Sequence, residues 1–484
     1  MGNFNKVKKS SPNAVSYEGG SVYKKSAIDE WLNFLFSSFL ENGFYESAEQ
    51  QQKRFIDLTQ KICDAYGPTF VAKAAVFTRN ELGMRSVSQL VAAWLNTQTF
   101  DTKRAFYKSF MRRPDDVAEI FAAIDFLGAK RSHALVRGSA DYLASLQPQT
   151  IAKYKLNSRS YNMFDLINIT HATSHAIDQY KAGTLAPAET WEVKIAGADN
   201  DEDRQQEWKS LVENHKLGYM ALIRNLNNIL NNPNIDESWV QNILIPQITD
   251  EQAIHRSLMF PYRFYTAYKN LNVHNLSVDM ALSQAFTTAA IKNAPQLEGN
   301  SAIILDVSGS MSDHISYNSN ITLKEVGACF AIALWLTNPH CPIIKFGSRA
   351  QLVRFNALDN PFTLIERLCA NDNCGYGTEI IPAFKLLDRE FSVNDYKRIF
   401  IISDMQVMDD GHYWSSGFAV KSYHKYFVMK PCYSFDLGNY HTQILSPQDH
   451  IKYITSLNDQ VFKFIGLLES GVDLFSYINS FNYC

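Results

Sequence analysis

Between about residue 24 and residue 290 apolar residues recur at helical spacing almost without a break, and past "NAPQLEGN", residues 293–300, the pattern changes character. There, short β-branched runs begin to alternate with helical stretches. In "AIDEWLNFLFSSFL" the residues Ile28, Trp31, Leu32, Leu35, Phe36 and Phe39 fall on one stripe, the i, i+3, i+4, i+7 spacing of an amphipathic helix. "FVAKAAVFTRN", "VSQLVAAWLN", "VAEIFAAIDFLG", "NMFDLINITHA", "GYMALIRNLNNIL" and "SLMFPYRFYTAYKNL" repeat that spacing, separated by Gly, Pro, Asn or Ser joints. So many short helices with almost no strand signal between them predict stacked antiparallel pairs, a solenoid or a ring of HEAT-like units, although no strict period is present.

After the change come "SAIILDVS", "EVGACFAIALWLTN", "PIIKFG", "QLVRF", "FTLIERLCAN", "IIPAFKLLDREF", "RIFIISDM" and a closing helical stretch ending in "DLFSYINSF". Fully apolar strands alternating with helices predict a parallel sheet covered on both faces, a doubly wound α/β unit. The expected organisation is therefore multidomain: an all-α HEAT-like module over residues 1–297 and an α/β module over 298–484. A length of 484 residues agrees with two or three domains.

Bulk composition is ordinary, with 46% hydrophobic and 20% charged residues. The net charge of −3 hides a gradient, because residues 51–160 carry 17 Lys+Arg against 9 Asp+Glu, whereas residues 301–484 carry 14 against 18. A basic sector inside a near-neutral chain predicts an anionic partner that meets one region, the alternative being a solvated helical face. The basic, polar start "MGNFNKVKKSSPNAV" has no apolar core of a signal peptide, and no apolar run approaches a membrane span. The seven cysteines form no CxxC pair and sit partly in apolar segments, which argues for reduced core thiols rather than a disulfide framework or zinc site. A cytoplasmic protein without a membrane partner is expected. His171 and His175 are spaced i, i+4, but no HExxH pattern surrounds them.

The chemistry concentrates in "AIILDVSGSMS", residues 302–312. Asp306, Ser308 and Ser310 follow an apolar strand at i, i+2, i+4, a spacing that on an extended loop sends three hard oxygens to one side. "NCGYGTEI" adds Thr378, and "IFIISDMQ" ends a buried strand on Asp404. In open α/β sheets ligands bind at the carboxyl ends of the strands, where all five residues are expected. An all-oxygen set of low negative charge selects Mg²⁺ or a similar divalent cation, at roughly 2.0–2.1 Å. A serine nucleophile would need a GxSxG elbow and a placed histidine, and a phosphate loop would need GxxxxGK[ST]; neither pattern is here. Polar loops that merely cap helices would explain the serines but not the matching Thr378 and Asp404.

This set of five resembles the metal-ion-dependent adhesion site of von Willebrand factor A domains, DxSxS followed by a later Thr and a later Asp. The resemblance implies that Ser308, Ser310 and Thr378 coordinate the cation directly or nearly so and that the aspartates act partly through water. It also implies an open coordination place for a partner's carboxylate, in a domain that binds rather than catalyses. Upstream, "SYEGGSVY", "FTRNELGMRS", "FLGAKRSHALVRGSADYL", "FDLINITHATS", "YMALIRNLNNI" and "FPYRFYTAY" occur in the order of the TROVE module of the Ro60 (Ro/SS-A) family of RNA-binding proteins, in which the same A domain follows. The resemblance, covering nearly the whole chain, implies a closed helical ring with a central hole whose ends the A domain joins.

Its functional implications are a scaffold without catalytic activity that binds small noncoding Y RNAs on the basic outer surface. The 3′ ends of misfolded or decaying RNAs would enter the hole, and an exoribonuclease could be tethered. An RNA footprint needs Lys and Arg for phosphates and planar groups where bases unstack. Lys130, Arg131 and Arg137 in "GAKRSHALVRG" and Arg79 and Arg85 in "RNELGMRS" are the candidates. His171 in "NITHATS" joins them by resemblance, with a helix-packing histidine as its alternative. Arg263 and Lys269 in "PYRFYTAYK" read as a solvated helix face. Two rival classes remain: a divalent-cation-dependent protein-adhesion module with the ring as scaffold, and a metal-dependent phosphate hydrolase, for which no general base or second carboxylate pair stands beside the five oxygens.

Overall fold

The computed structural model describes residues 13–37, 47–154, 156, 159–188, 190–293, 297–315, 319–356, 358–407, 430–438, 440, 442–445, 451–454, 465–466, 469 and 474–483. Residues 294–296 of the junction, Phe39, and most of the stretch before the final helix lie outside this set.

Helices fill the chain from Ala27–Ser37 to Leu276–Asn293. Their starts follow from the sequence: Ser47 and Asn162 close capping boxes with Gln50 and Asp165, and Pro68, Pro114 and Pro148 occupy first turns, where the missing N–H costs nothing. Ahead of them "SYEGG" forms the turn of a small hairpin, β1 (Ala14–Val15) and β2 (Ser21–Lys24), with Gly19 at φ +85°, a region open to glycine.

The second part is a six-stranded sheet of β3 (Ser301–Asp306), β4 (Ile343–Phe346), β5 (Ala350–Val353), β6 (Arg398–Ser403), β7 (Cys432–Asp436) and β9 (Ile451–Ile454), in the order β5-β4-β3-β6-β7-β9. All pairs are parallel except the antiparallel edge β4–β5. β3 and β6 are buried throughout, and their side chains alternate between two layers. Leu305 and Ile402 face the helix Leu323–Thr337, and Ile304 and Ile401 share a core with Phe384 of the helix Ile381–Glu390. Gly327 permits the close approach of the first helix, since a Cβ there would lie 2.9 Å from Leu305 Cδ1 and 3.0 Å from Ile402 Cγ2.

The apolar cores do not divide where the pattern changes. One unites the helices up to about residue 181 with Ile478 near the C-terminus, and another joins Trp208 through Ala290 to the Leu323–Thr337 face of the sheet. The α/β part touches both ends of the helical array. At one end β2 pairs with the short strand β8 (Thr442–Gln443), and Lys25, wholly buried, pairs with the equally buried Asp436. At the other, Phe260 meets Phe330 with ring centroids 4.9 Å apart, and Lys269 lies 3.1 Å from Glu325. Lys269 is thus an inter-part ion pair rather than part of a solvated face. The final helix, Leu474–Ser480, returns to the first helices, with the Phe475 ring 4.7 Å from Phe70 and Tyr477 5.8 Å from Phe77. The architecture is a helical array whose ends are held together by an α/β domain.

Candidate metal centre and nucleic-acid interface

Parallel pairing brings Asp306, the last residue of β3, beside the end of β6, after which Asp404 follows at once. Asp306 is 0% exposed and Asp404 1%. Asp306 is held from both oxygens: Ser308 N–H donates to Oδ1 at 2.9 Å and Ser403 Oγ to Oδ2 at 2.6 Å. Ser308 Oγ and Ser310 Oγ lie 3.5 Å apart. They converge by a bend rather than by strand alternation, because Gly309 is αR and Ser310 opens a 3₁₀ turn, Ser310–Ser312. The Thr378 loop is drawn in by Gly309 N–H, which donates to Tyr376 O at 2.9 Å, and by Glu379 N–H, which donates to Gly347 O at 2.9 Å. Ser308, Ser310 and Thr378 are all buried. Asp306, Ser308, Ser310 and Asp404 therefore gather as buried oxygens at the sheet's carboxyl end, with the loop that carries buried Thr378 held beside them.

Two details bear on whether a cation fits. Asp404 Oδ1 accepts from Gln406 N–H at 3.1 Å, while its buried Oδ2 has no hydrogen-bond partner among the described residues. Burial pushes Asp306 up to about 6, and burial together with the facing Asp306 charge pushes Asp404 up to about 7. Two carboxylates that resist ionisation for want of a counter-charge, beside three hydroxyls, suit a small hard cation. Among the described residues no three His, Cys, Asp or Glu side chains converge on a metal-sized point, so such an ion would depend on the hydroxyls. Sequence reasoning missed Ser403, which fixes Asp306, and Asp436, which ends β7 one strand further on and is occupied by Lys25. The signal for both was a polar residue closing an apolar strand.

The RNA candidates separate. Arg79 is only 7% exposed, and its Nε and Nη2 donate to the two oxygens of fully buried Asp116 at 3.1 and 2.7 Å. Asp116 also accepts from Gln89 and from the backbone N–H of Arg112 and Arg113, so Arg79 belongs to a buried hub, not to a phosphate-binding surface. The basic bias had counted a charge that is spent inside. Arg85 is one-third exposed and donates to Asp115 at 2.8 Å, which Arg113 also grips. Arg131, one-quarter exposed, pairs with Asp125 at 2.7 Å and lies 4.9 Å from the Phe121 ring centre.

Lys130 and Arg137 are exposed. His171 is exposed too, as the left-handed cap (φ 56°) of the helix Met163–Thr170, and so is not a packing histidine. The helix His133–Ala144, which carries Arg137, packs against both Lys103–Phe110 and Met163–Thr170. Gly138 allows the first contact, since a Cβ there would sit 2.7 Å from Arg104 O. The exposed Lys108 and Arg112, which the sequence motifs did not single out, lie on and just after the first of these neighbours.

A family model for the TROVE domain matches residues 162–303. Telomerase protein component 1 of Rattus norvegicus is 31% identical over 98 residues, 20% of this chain and 4% of that protein; that of Mus musculus is 29% identical over 88 residues, 18% and 3%. This chain thus aligns with only a small part of those relatives. The crystal structure of the RO (RSR) protein of Deinococcus radiodurans is similar in fold, with a TM-score of 0.63 at 16% identity over 91% of this chain and 100% of that one. Residues 162–303 accordingly match the TROVE domain, and the chain as a whole shares the fold of that Ro protein, a helical array joined to an α/β domain.

Proposed function

We propose that this protein is a noncatalytic RNA-binding scaffold, a ribonucleoprotein component. The TROVE domain and the Ro fold support that general reading. The single observation that carries it to a site is the exposure of Lys130, Arg137 and His171 on and around one helix in the basic sector. Phosphates of a folded RNA would meet Lys130 and Arg137, releasing counterions. In the finer form of the proposal the RNA is a small noncoding Y-like RNA on the outer surface. The 3′ ends of misfolded or decaying RNAs are a second class of ligand, and an exoribonuclease is a candidate partner.

RNA that copurifies with the expressed chain, once sequenced, tests the ligand: one defined small RNA supports the proposal. Gel shifts test the site. Lys130→Glu/Arg137→Glu should weaken binding and shallow the salt dependence by about two in slope, at roughly 0.9 per phosphate contact. Unchanged affinity and slope in that variant would remove the site assignment.

A second reading rests on the buried oxygen pocket. Ser308, Ser310, Thr378 and Asp404 would hold Mg²⁺, with Asp306 behind them, and the ion would supply a hard positive point for a partner's carboxylate. Protein capture that needs a divalent cation and disappears in Ser308→Ala, with no specific RNA recovered, would favour this reading.

A further inference from the structure

"YMALIRNLNNI" and "FPYRFYTAY" have so far had no function beyond resemblance. In the structure they face one another across a cleft of about 440 Å³, a size within the ~300–1,000 Å³ of small-ligand sites. Ile223, Leu226 and Leu271, all buried, make an apolar floor, and Arg224, Tyr262 and Arg263 line it. The end of the cleft is fixed by Asn227, whose Oδ1 accepts from Asn272 N–H at 2.8 Å and whose Nδ2 donates to Asn270 O.

The charge of this cleft runs against its surroundings. Residues 162–303 carry 10 Lys+Arg against 16 Asp+Glu, yet among the described residues the cleft lining contains two arginines and no carboxylate. A larger cleft of about 630 Å³ on the same helix, Tyr219–Arg224, sets Asp250 against Arg256 and has no such bias. Arg224 is exposed and makes no ion pair among the described residues. The Arg263 guanidinium lies 5.2 Å from the centre of the Tyr262 ring, so that side of the cleft joins an aromatic plane to a planar cation. An apolar floor, an aromatic ring and the exposed Arg224 guanidinium form a combination that takes a base by stacking and a phosphate by charge-assisted hydrogen bonds.

We propose that this cleft binds one nucleotide of a single-stranded RNA, its base on the Tyr262 side and its phosphate on Arg224. The inference rests on the RNA-binding reading above and adds a site separate from Lys130, Arg137 and His171. A free nucleotide shares the same chemistry, so the experiment must distinguish the two sources.

The test uses the full chain with a labelled ten-residue oligouridylate containing one 4-thiouridine, read by fluorescence anisotropy and by mapping the photocrosslink. UMP is a parallel ligand, read by saturation-transfer NMR. Arg224→Ala, at an exposed position, should weaken the oligonucleotide about tenfold, and Tyr262→Leu, checked for an unchanged melt, by a similar factor. The crosslink should fall within residues 219–227 or 259–271. If the oligonucleotide binds but both variants stay within twofold and crosslinks map elsewhere, the cleft assignment is wrong while the RNA-binding reading stands. The cleft assignment is equally wrong if folded RNA binds and the oligonucleotide does not. Arg224-dependent binding of UMP, with oligonucleotide binding independent of Arg224, would make the cleft a free-nucleotide site and overturn the proposal. If no RNA of either kind binds, both readings fall together.

Discussion

Asp404→Asn should make the cation-free protein more stable at pH 8, and by a clearly smaller margin at pH 5. In the folded chain Asp306 is raised to about 6 and Asp404 to about 7 by burial and, for Asp404, by the Asp306 charge. An unfolded aspartate ionises near 3.9. Between about pH 4 and pH 7 the native state thus holds more protons than the unfolded one, so stability falls as pH rises through that window and the loss is complete above it. With 3.9 in the unfolded chain and about 7 in the folded one, ionising Asp404 costs the fold on the order of 4 kcal/mol at pH 8. The amide removes that cost at pH 8. A divalent cation should do the same for the wild type by supplying the counter-charge, adding about 2.7 kcal/mol at a hundredfold excess over its dissociation constant, and should do nothing for the variant. Urea unfolding of both proteins at pH 5 and pH 8, each with chelator or with Mg²⁺, measures all four differences through the tryptophan fluorescence. A variant no more stable than wild type at pH 8 in chelator, or a Mg²⁺ effect larger at pH 5 than at pH 8, would refute the reasoning.

Lys25→Met removes one buried partner of the fully buried Asp436, and breaking a buried pair from one side costs about 3–5 kcal/mol, which a shift in the urea midpoint would show. Arg79→Ala takes the nearest cation from Asp116, which keeps Gln89, two backbone N–H groups and Arg85 at 3.8 Å, and should lower the midpoint by less; RNA affinity of whatever remains folded should match wild type, so a selective loss of RNA binding would restore Arg79 to the interface. Gly138→Ala pushes a methyl against Arg104 O at 2.7 Å, where backbone must give way, and should cost about 1–3 kcal/mol in the same assay.

The pocket at the sheet's edge was legible because its chemistry is local to strand ends. A polar residue that closes a fully apolar strand has one place to go, and Asp306 and Asp404 sit there, at the ends of β3 and β6. The means of convergence was not legible, since the 3₁₀ turn at Ser310 depends on a hydrogen bond from Gly309 to Tyr376, 67 positions along the chain. The basic sector misled for a related reason. Charge counts register Arg79, Arg113 and Arg131 alike, whereas Asp116, Asp115 and Asp125 take each of them into a pair, across 37 positions for Arg79 and from two and six positions away for Arg113 and Arg131. Lys130 and Arg137 are exposed and make no ion pair among the described residues; Asp141, on the same helix as Arg137, is taken by Arg104 at 2.7 Å.

The change of periodicity near residues 293–300 marks where one kind of secondary structure replaces another, and that is a different question from where one core ends. Core membership follows from which apolar faces meet. The helix Leu323–Thr337 is buried along nearly its whole length, too much for the sheet alone to cover, and Phe330 and Glu325 reach instead to Phe260, Lys269 and Tyr265 on the helical side. A helix apolar on every side needs neighbours on every side, and "EVGACFAIALWLTN" is such a helix. The division between cores consequently falls near residues 181–191, between Ile177 in one and Trp208 in the other, more than a hundred positions before the pattern changes. The family match over residues 162–303 spans that division and ends inside β3, so the architecture it covers is the joint between helices and sheet as much as either part alone.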